Sequence, residues 1–186
     1  MAWLVLLVAW MPAQEKPLAS SEALRELSAL EDEFAARWKV FMDEYRQAQT
    51  PQQRLDALRK DPTRDFTGKF LALAQKYADD PALLNIAIAV CRLDRGGKPD
   101  SPRTKVLALV RQRHLKSDQL VPLLRFLAYD QDDEEFVKAV LEANKNATVQ
   151  ASAYMALAQM KRNRLRTIET LNQDADYREL LSKSRG

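Results

Sequence analysis

Apolar side chains recur along this chain at intervals of three and four, in blocks divided by short polar breaks. The longest block covers 22–49. There Leu27, Leu30, Phe34, Trp38, Phe41 and Tyr45 share one helical face, and Glu31, Asp32, Arg37, Lys39 and Glu44 take the opposite one. Leaving that stripe in water would forgo on the order of 10 kcal/mol of burial, so the helix is expected to lie lengthwise over the later helices. The same spacing also fits a heptad seam between two copies. Thr50-Pro51 then predicts a short second helix, with Thr as cap and Pro in the first turn.

Beyond this point the pattern predicts pairs of helices. The first pair covers 66–78 and 81–93, with Asp80-Pro81 as the cap and first turn of its second member. The second covers 102–115 and 119–129, opened by Ser101-Pro102. The third covers 133–144, capped by Asp132, and 149–162. A last helix is predicted over 168–182. Pair starts recur at about 30 to 37 residues, the period of stacked helical repeats. Ala151, Ala153, Tyr154, Leu157, Ala158 and Met160 mix small and large residues in helical rhythm, which lets neighbouring helices approach closely.

Composition strengthens this picture. Only four glycines interrupt a chain that is 46% hydrophobic and rich in strong helix formers. No alternating β-branched run bounded by tight-turn dipeptides competes. The expected fold is therefore all-α: antiparallel helical hairpins stacked as an irregular α-solenoid of the TPR or HEAT kind, or a bundle, with a long N-terminal helix. The first thirteen residues carry no charged side chain and hold an apolar run too short for a bilayer span. They predict a secretory signal over 1–13 with cleavage after Ala13, the alternative being an uncleaved apolar end. A lead-in over 14–21 and one helical-repeat-like domain over 22–186 follow. The expected location is outside the cytoplasm, periplasmic or extracellular, with no membrane span after signal removal.

Candidate chemistry changes little. Cys91 is the only cysteine and lies in the apolar run 86–91, where it reads as a buried core thiol. His114 is the only histidine and stands near a helix end, where a cation suits the dipole. Asp130, Asp132, Asp133, Glu134 and Glu135 begin like a calcium loop. Glu135 then occupies the position that needs Gly, and Leu141 the position that needs Glu. They read instead as an acidic helix start. Gly96-Gly97-Lys98 is followed by Pro99 rather than the Ser or Thr of a phosphate loop. Between Arg92 and Arg125 nine basic residues face three acidic ones, and Lys161, Arg162, Arg164 and Arg166 form a second basic block. Without interleaved aromatic residues, and with a net charge of only +3, these blocks read as solvated faces rather than a nucleic-acid surface. No catalytic, cofactor-binding or metal-ligating residue is expected, and no cofactor.

Two stretches carry a family resemblance. KFLALAQKYADDPA at 69–82 and LLRFLAYDQDDEEFVKAVLEANKNATVQASAYMALAQ at 123–159 resemble the helical N-terminal region of secreted, planctomycete-type redoxin-domain proteins. In that family a thioredoxin-like domain of the thiol–disulfide reductase class follows the helices. The sequence stops at Gly186, where that domain and its CxxC normally come. The resemblance thus implies association with redox chemistry and transfers no catalytic residue. The expected function is a non-catalytic module for protein interaction or scaffolding. The alternative is an accessory part of an oxidoreductase whose catalytic domain is elsewhere, so the partner is an unidentified protein or a thioredoxin-like domain.

If the apolar run over 1–13 is a signal, intact-mass measurement of protein exported by its native host gives a chain beginning at or near Gln14. Full-length protein recovered from the cytoplasm would refute that.

Overall fold

A computed structural model describes residues 21–95, 98–130 and 133–173 of the chain. The expected signal, most of the lead-in, Gly96, Gly97, Asp132 and everything after Gln173 lie outside the described residues. The described residues form an all-α fold with no strand.

The caps are local and legible. Helix α1 (Glu22–Gln47) starts where Ser21 Oγ accepts from the Leu24 amide at 3.3 Å. Helix α2 (Pro51–Leu58) opens on a complete capping box: the Gln53 amide donates to Thr50 Oγ1 at 3.2 Å, and the Thr50 amide donates to Gln53 Oε1 at 3.1 Å. Helix α3 (Thr63–Lys76) follows Asp61, which accepts from the Thr63 amide. Helix α4 (Leu83–Leu93) follows Asp80, which accepts from the Ala82 amide at 2.7 Å. Ser101 caps α5 (Pro102–Arg113). A 3-10 turn (Asp118–Leu120) then leads into α6 (Val121–Leu127), and α7 (Glu134–Ala143) follows. Helix α8 (Ala147–Gln173) begins under Asn146, whose Oδ1 accepts from the amides of Thr148 and Val149.

Several boundaries shift by two or three residues: α3 starts at Thr63, α4 at Leu83, and the helix expected over 119–129 opens as a 3-10 turn and ends at Leu127. One difference is larger. The sequence predicts a break between 162 and 168, yet α8 runs unbroken through it. The polar side chains there are satisfied within the helix. Gln159 donates to Asn163 at 2.8 Å, and the hydroxyls of Thr167 and Thr170 donate to the carbonyls of Asn163 and Arg166, four residues back.

Packing follows the apolar pattern. Helix α4 is apolar nearly all round, and it is buried nearly all round, touching α3, α5 and α6. Helices α3, α5 and α7 meet in succession, and so do α4, α6 and α8. Between these two sets lies the core: Phe66, Phe70, Leu83, Ile86, Val110, Leu124, Val137 and Met160 are fully enclosed. Small buried Ala153 and Ala156 let α8 settle close to its neighbours.

Helix α1 packs within the chain, and its first half lies lengthwise along α3, the first member of the first expected pair. It rests on α2 and α3. Leu27 and Phe41 are buried, Leu30 and Phe34 are partly so, and Trp38 keeps 38% of its surface in solvent. The short α2 cannot reach across the whole stripe, so the rings cover one another instead. Phe34, Trp38, Phe41 and Tyr45 stand in a row with centroids 5.1–6.1 Å apart. Phe34 carries that row to the core by meeting Phe66 at 5.3 Å. Lys76 and the Tyr77 hydroxyl both donate to Glu26, and Lys69 reaches Glu33. These are exposed links that add little to stability.

Truncation at the two ends of this aromatic contact separates the roles. Phe66→Ala is expected to cost about 3–5 kcal/mol, and Trp38→Ala less than half of that, in urea melts. Equal losses would mean that Trp38 is packed like core, and a wild-type melt that depends on protein concentration where Trp38→Ala does not would place Trp38 in a dimer seam.

Candidate functional site

The residues singled out in the sequence are brought towards three places, and two of them are structural. The first centres on Arg103, the second residue of α5. A cation in a first helical turn opposes the helix dipole, and this one is also only 3% exposed. Its guanidinium is surrounded by acceptors. Nε donates to Asp133 Oδ1 at 3.4 Å and Nη2 to Asp133 Oδ2, while Asp130 Oδ2 lies 3.1 Å from Nη2. Nη1 donates to the carbonyls of Cys91 and Asp94 at the end of α4, at 3.2 and 3.4 Å. The Arg103 amide donates to Asp94 Oδ2 at 2.9 Å. Burial works against the charged guanidinium, but the Asp133 hydrogen bond and charge outweigh it and hold its pKa above the ordinary value.

This corrects part of the acidic-start reading. Glu134 and Glu135 do sit in the first turn of α7, paired with Lys138, and Glu134 also meets Arg164 at 3.3 Å. Asp130 and Asp133 turn inward to Arg103 instead. Asp133 holds the position before α7 and makes no side-chain capping bond, because its carboxylate is committed elsewhere. The signal available in the sequence was Arg103 itself, an arginine directly behind the Ser101-Pro102 helix start, where its charge is unfavourable.

The second place is the opposite end of the helices. His114 terminates α5, and its Nε2 donates to the Ala78 carbonyl, in the turn after α3, at 2.8 Å. Asn144, which no local pattern marks, is 1% exposed. Its Nδ2 donates to the carbonyls of Leu115 and Ser117, and its Oδ1 accepts from the Asn146 amide. One amide thus binds the turn after α5 to the turn after α7. Cys91 is buried as expected, and burial pushes its thiol up to about 12. Among the described residues no buried side-chain nitrogen or oxygen lacks a partner, and no group of three or more His, Cys, Asp or Glu is placed to hold a metal ion. No helix among them is long and apolar enough to cross a membrane.

The third place is a surface that none of the motifs foretold. Tyr129, just past the end of α6, is 77% exposed and stands between two hollows. On one side, a hollow of about 710 Å³ lies against the end of α4, with Arg92, Arg95, Phe126 and the Arg103–Asp130 pair in its wall. On the other, a groove of about 460 Å³ runs between α6 and α8, with Ala128, Ala151, Met155 and Ala156 in its wall beside Arg125, Thr148, Ser152 and Gln159. Met155 is 72% exposed.

Comparison of the chain with family models, curated proteins and solved structures finds no match. The surface must therefore be read from its own chemistry. Arg95 and Arg125 make no ion pair or hydrogen bond among the described residues, and Arg92 only approaches Glu31 at 4.0 Å. Asp130 and Asp133, by contrast, are already engaged by Arg103. The face thus turns guanidinium groups and two large apolar side chains outward.

The Arg103 cluster can be tested by a double-mutant cycle. Arg103→Met is expected to cost about 3–5 kcal/mol by stranding buried carboxylate, and adding Asp133→Leu is expected to restore more than half of the loss. Urea melts that show additive losses would mean that the pair is not the coupling between α5 and α7.

Proposed function

We propose that this chain is an exported, non-catalytic docking module that holds a segment of a partner protein on the face formed by α4, α6 and α8. The observation that carries this is Tyr129. A large aromatic side chain, mostly in solvent, joins an arginine-rimmed hollow to an apolar groove, with Met155 beside it. Tyrosine, methionine and arginine are the residues enriched where proteins meet, since each offers contact area together with a polar or adaptable group.

The groups most suited to chemistry support the non-catalytic part of the reading. The Cys91 thiol is enclosed and held neutral, the His114 ring is bonded to a backbone carbonyl, and Arg103 is neutralised from two sides. The succession α3–α5–α7 beside α4–α6–α8 supports a solenoid-like stack, in which one layer of helices supplies a continuous binding face. The accessory role in an oxidoreductase names a particular partner, a thioredoxin-like domain. In its favour, the stretch 123–159 that resembles redoxin-domain proteins is the one that builds α6, α7 and the groove wall of α8.

Capture from envelope extract tests the proposal. A protein retained by the wild-type chain should be lost by Tyr129→Ala/Met155→Ser, which is expected to melt like wild type. It should be kept by Trp38→Ala at the far end. If that retained protein is a thioredoxin-like domain, the accessory role is favoured. Unchanged retention by the Tyr129 variant, or insulin reduction by the chain alone above the uncatalysed rate, would refute the docking module.

A further inference from the structure

The two hollows beside Tyr129 differ in charge, and that difference defines what fits them. Ala128, Ala151 and Met155 share one wall with the uncharged polar Thr148, Ser152 and Gln159, while Arg92, Arg95 and the Arg103–Asp130 pair line the other. Among the described residues, Asp94 accepts from the Arg103 amide, and Glu31 comes only to 4.0 Å of Arg92. Asp133 is buried against Arg103, and Asp130 shares the same guanidinium. Arg92 stands in the last turn of α4 and Arg95 two residues past its end, and Arg125 on α6 lies four residues before Tyr129. An occupant crossing from hollow to groove therefore meets positive charge on both sides of an aromatic ring, then an apolar trough floored by small residues.

We infer that the docked segment is an acidic peptide stretch, in which Asp or Glu side chains stand next to a Leu, Met or Phe. Resting on the docking reading above, this adds the partner's chemistry. Its carboxylates pair with Arg92, Arg95 and Arg125, and its apolar side chain enters the groove beside Met155. Arginine presents a planar fork that matches a carboxylate with two hydrogen bonds, so three such groups around one aromatic side chain select charge as well as position. The small residues along the groove, Ala151 and Ser152 among them, let the peptide backbone approach α8 closely.

Selection with random displayed peptides of about twelve residues, a length that spans both hollows when extended, puts this to the test. Peptides are panned on the wild-type chain. The winners are synthesised and their binding is measured against Arg92→Glu/Arg95→Glu/Arg125→Glu, Tyr129→Ala and Met155→Ser. All the altered residues are exposed, and a glutamine version of the triple variant serves if the glutamates destabilise the fold. The inference expects winners enriched in Asp and Glu beside Leu, Met or Phe. Their binding should weaken about tenfold or more in the charge-reversed chain, and clearly in the other two variants. It should also fall as salt rises from about 0.05 to 0.5 M. Winners without acidic excess that bind the charge-reversed chain normally but fail on Tyr129→Ala would overturn the acidic partner and leave the docking face standing. No enriched peptide at all would remove both. Binding to RNA or to phosphatidylglycerol vesicles that needs the arginines and ignores Tyr129 would assign the face to a phosphate surface instead. Dimers in sedimentation that Tyr129→Ala converts to monomers would make the occupant a second copy, which also overturns the inference.

Discussion

A guanidinium buried among helices has to be neutralised where it stands, and in this chain that requirement joins three segments distant in sequence. Arg103 starts α5, takes two carbonyls from the end of α4, and holds Asp130 and Asp133 from the connection between α6 and α7. Such an ion pair contributes little net stability over an apolar replacement, because desolvating both partners offsets most of their attraction. What it adds is discrimination. A packing that displaced α7 from α5 would leave a buried charge without a partner, and that costs several kcal/mol. Apolar faces of Leu, Val and Ala can slide along one another at small cost. Arg103 cannot.

The other end of the helices is held by neutral groups under the same rule. Turns that meet in the interior must satisfy their carbonyls, and side chains from neighbouring turns do so here. His114 bonds the turn after α3, and Asn144 binds the turn after α5 to the turn after α7. Polar contacts thus pin both ends of the helices, while the apolar core between them supplies the bulk of the driving force.

With the interior polar groups committed, the surface of α4, α6 and α8 is left with chemistry of its own. Among the described residues, Asp130 and Asp133 are drawn to Arg103 rather than to the arginines at the rim. The same buried pair that aligns α5 with α7 therefore shapes the charge of the face proposed to dock a partner. Exposed Tyr129 and Met155 are a cost to a chain that stays alone, and they become useful when something covers them.

Local physics made most of the helices legible in the sequence. The period of apolar residues, the Thr50–Gln53 capping box and the Ser101-Pro102 start all act within a few residues, so they can be read without knowing what lies nearby, whereas α4 begins at Leu83, two residues past the expected Asp80-Pro81 start. Cys91 was legible for the same reason, since an apolar run around a thiol predicts its burial. The unbroken course of α8 past Asn163 was not, because polar side chains there close their bonds along the helix rather than ending it. Trp38 looked like core because periodicity gives the face of a helix but not the length of its neighbour, and α2 is short. Asp130 and Asp133 looked like a helix start because their partner lies some thirty residues away. The Tyr129 face was hidden for a related reason: its parts come from α4, α6 and α8, and only their packing brings arginines, an aromatic ring and an apolar trough together. Sequence determined what each segment does by itself, and tertiary structure decided which charges meet, because pairing across the fold depends on distance in space.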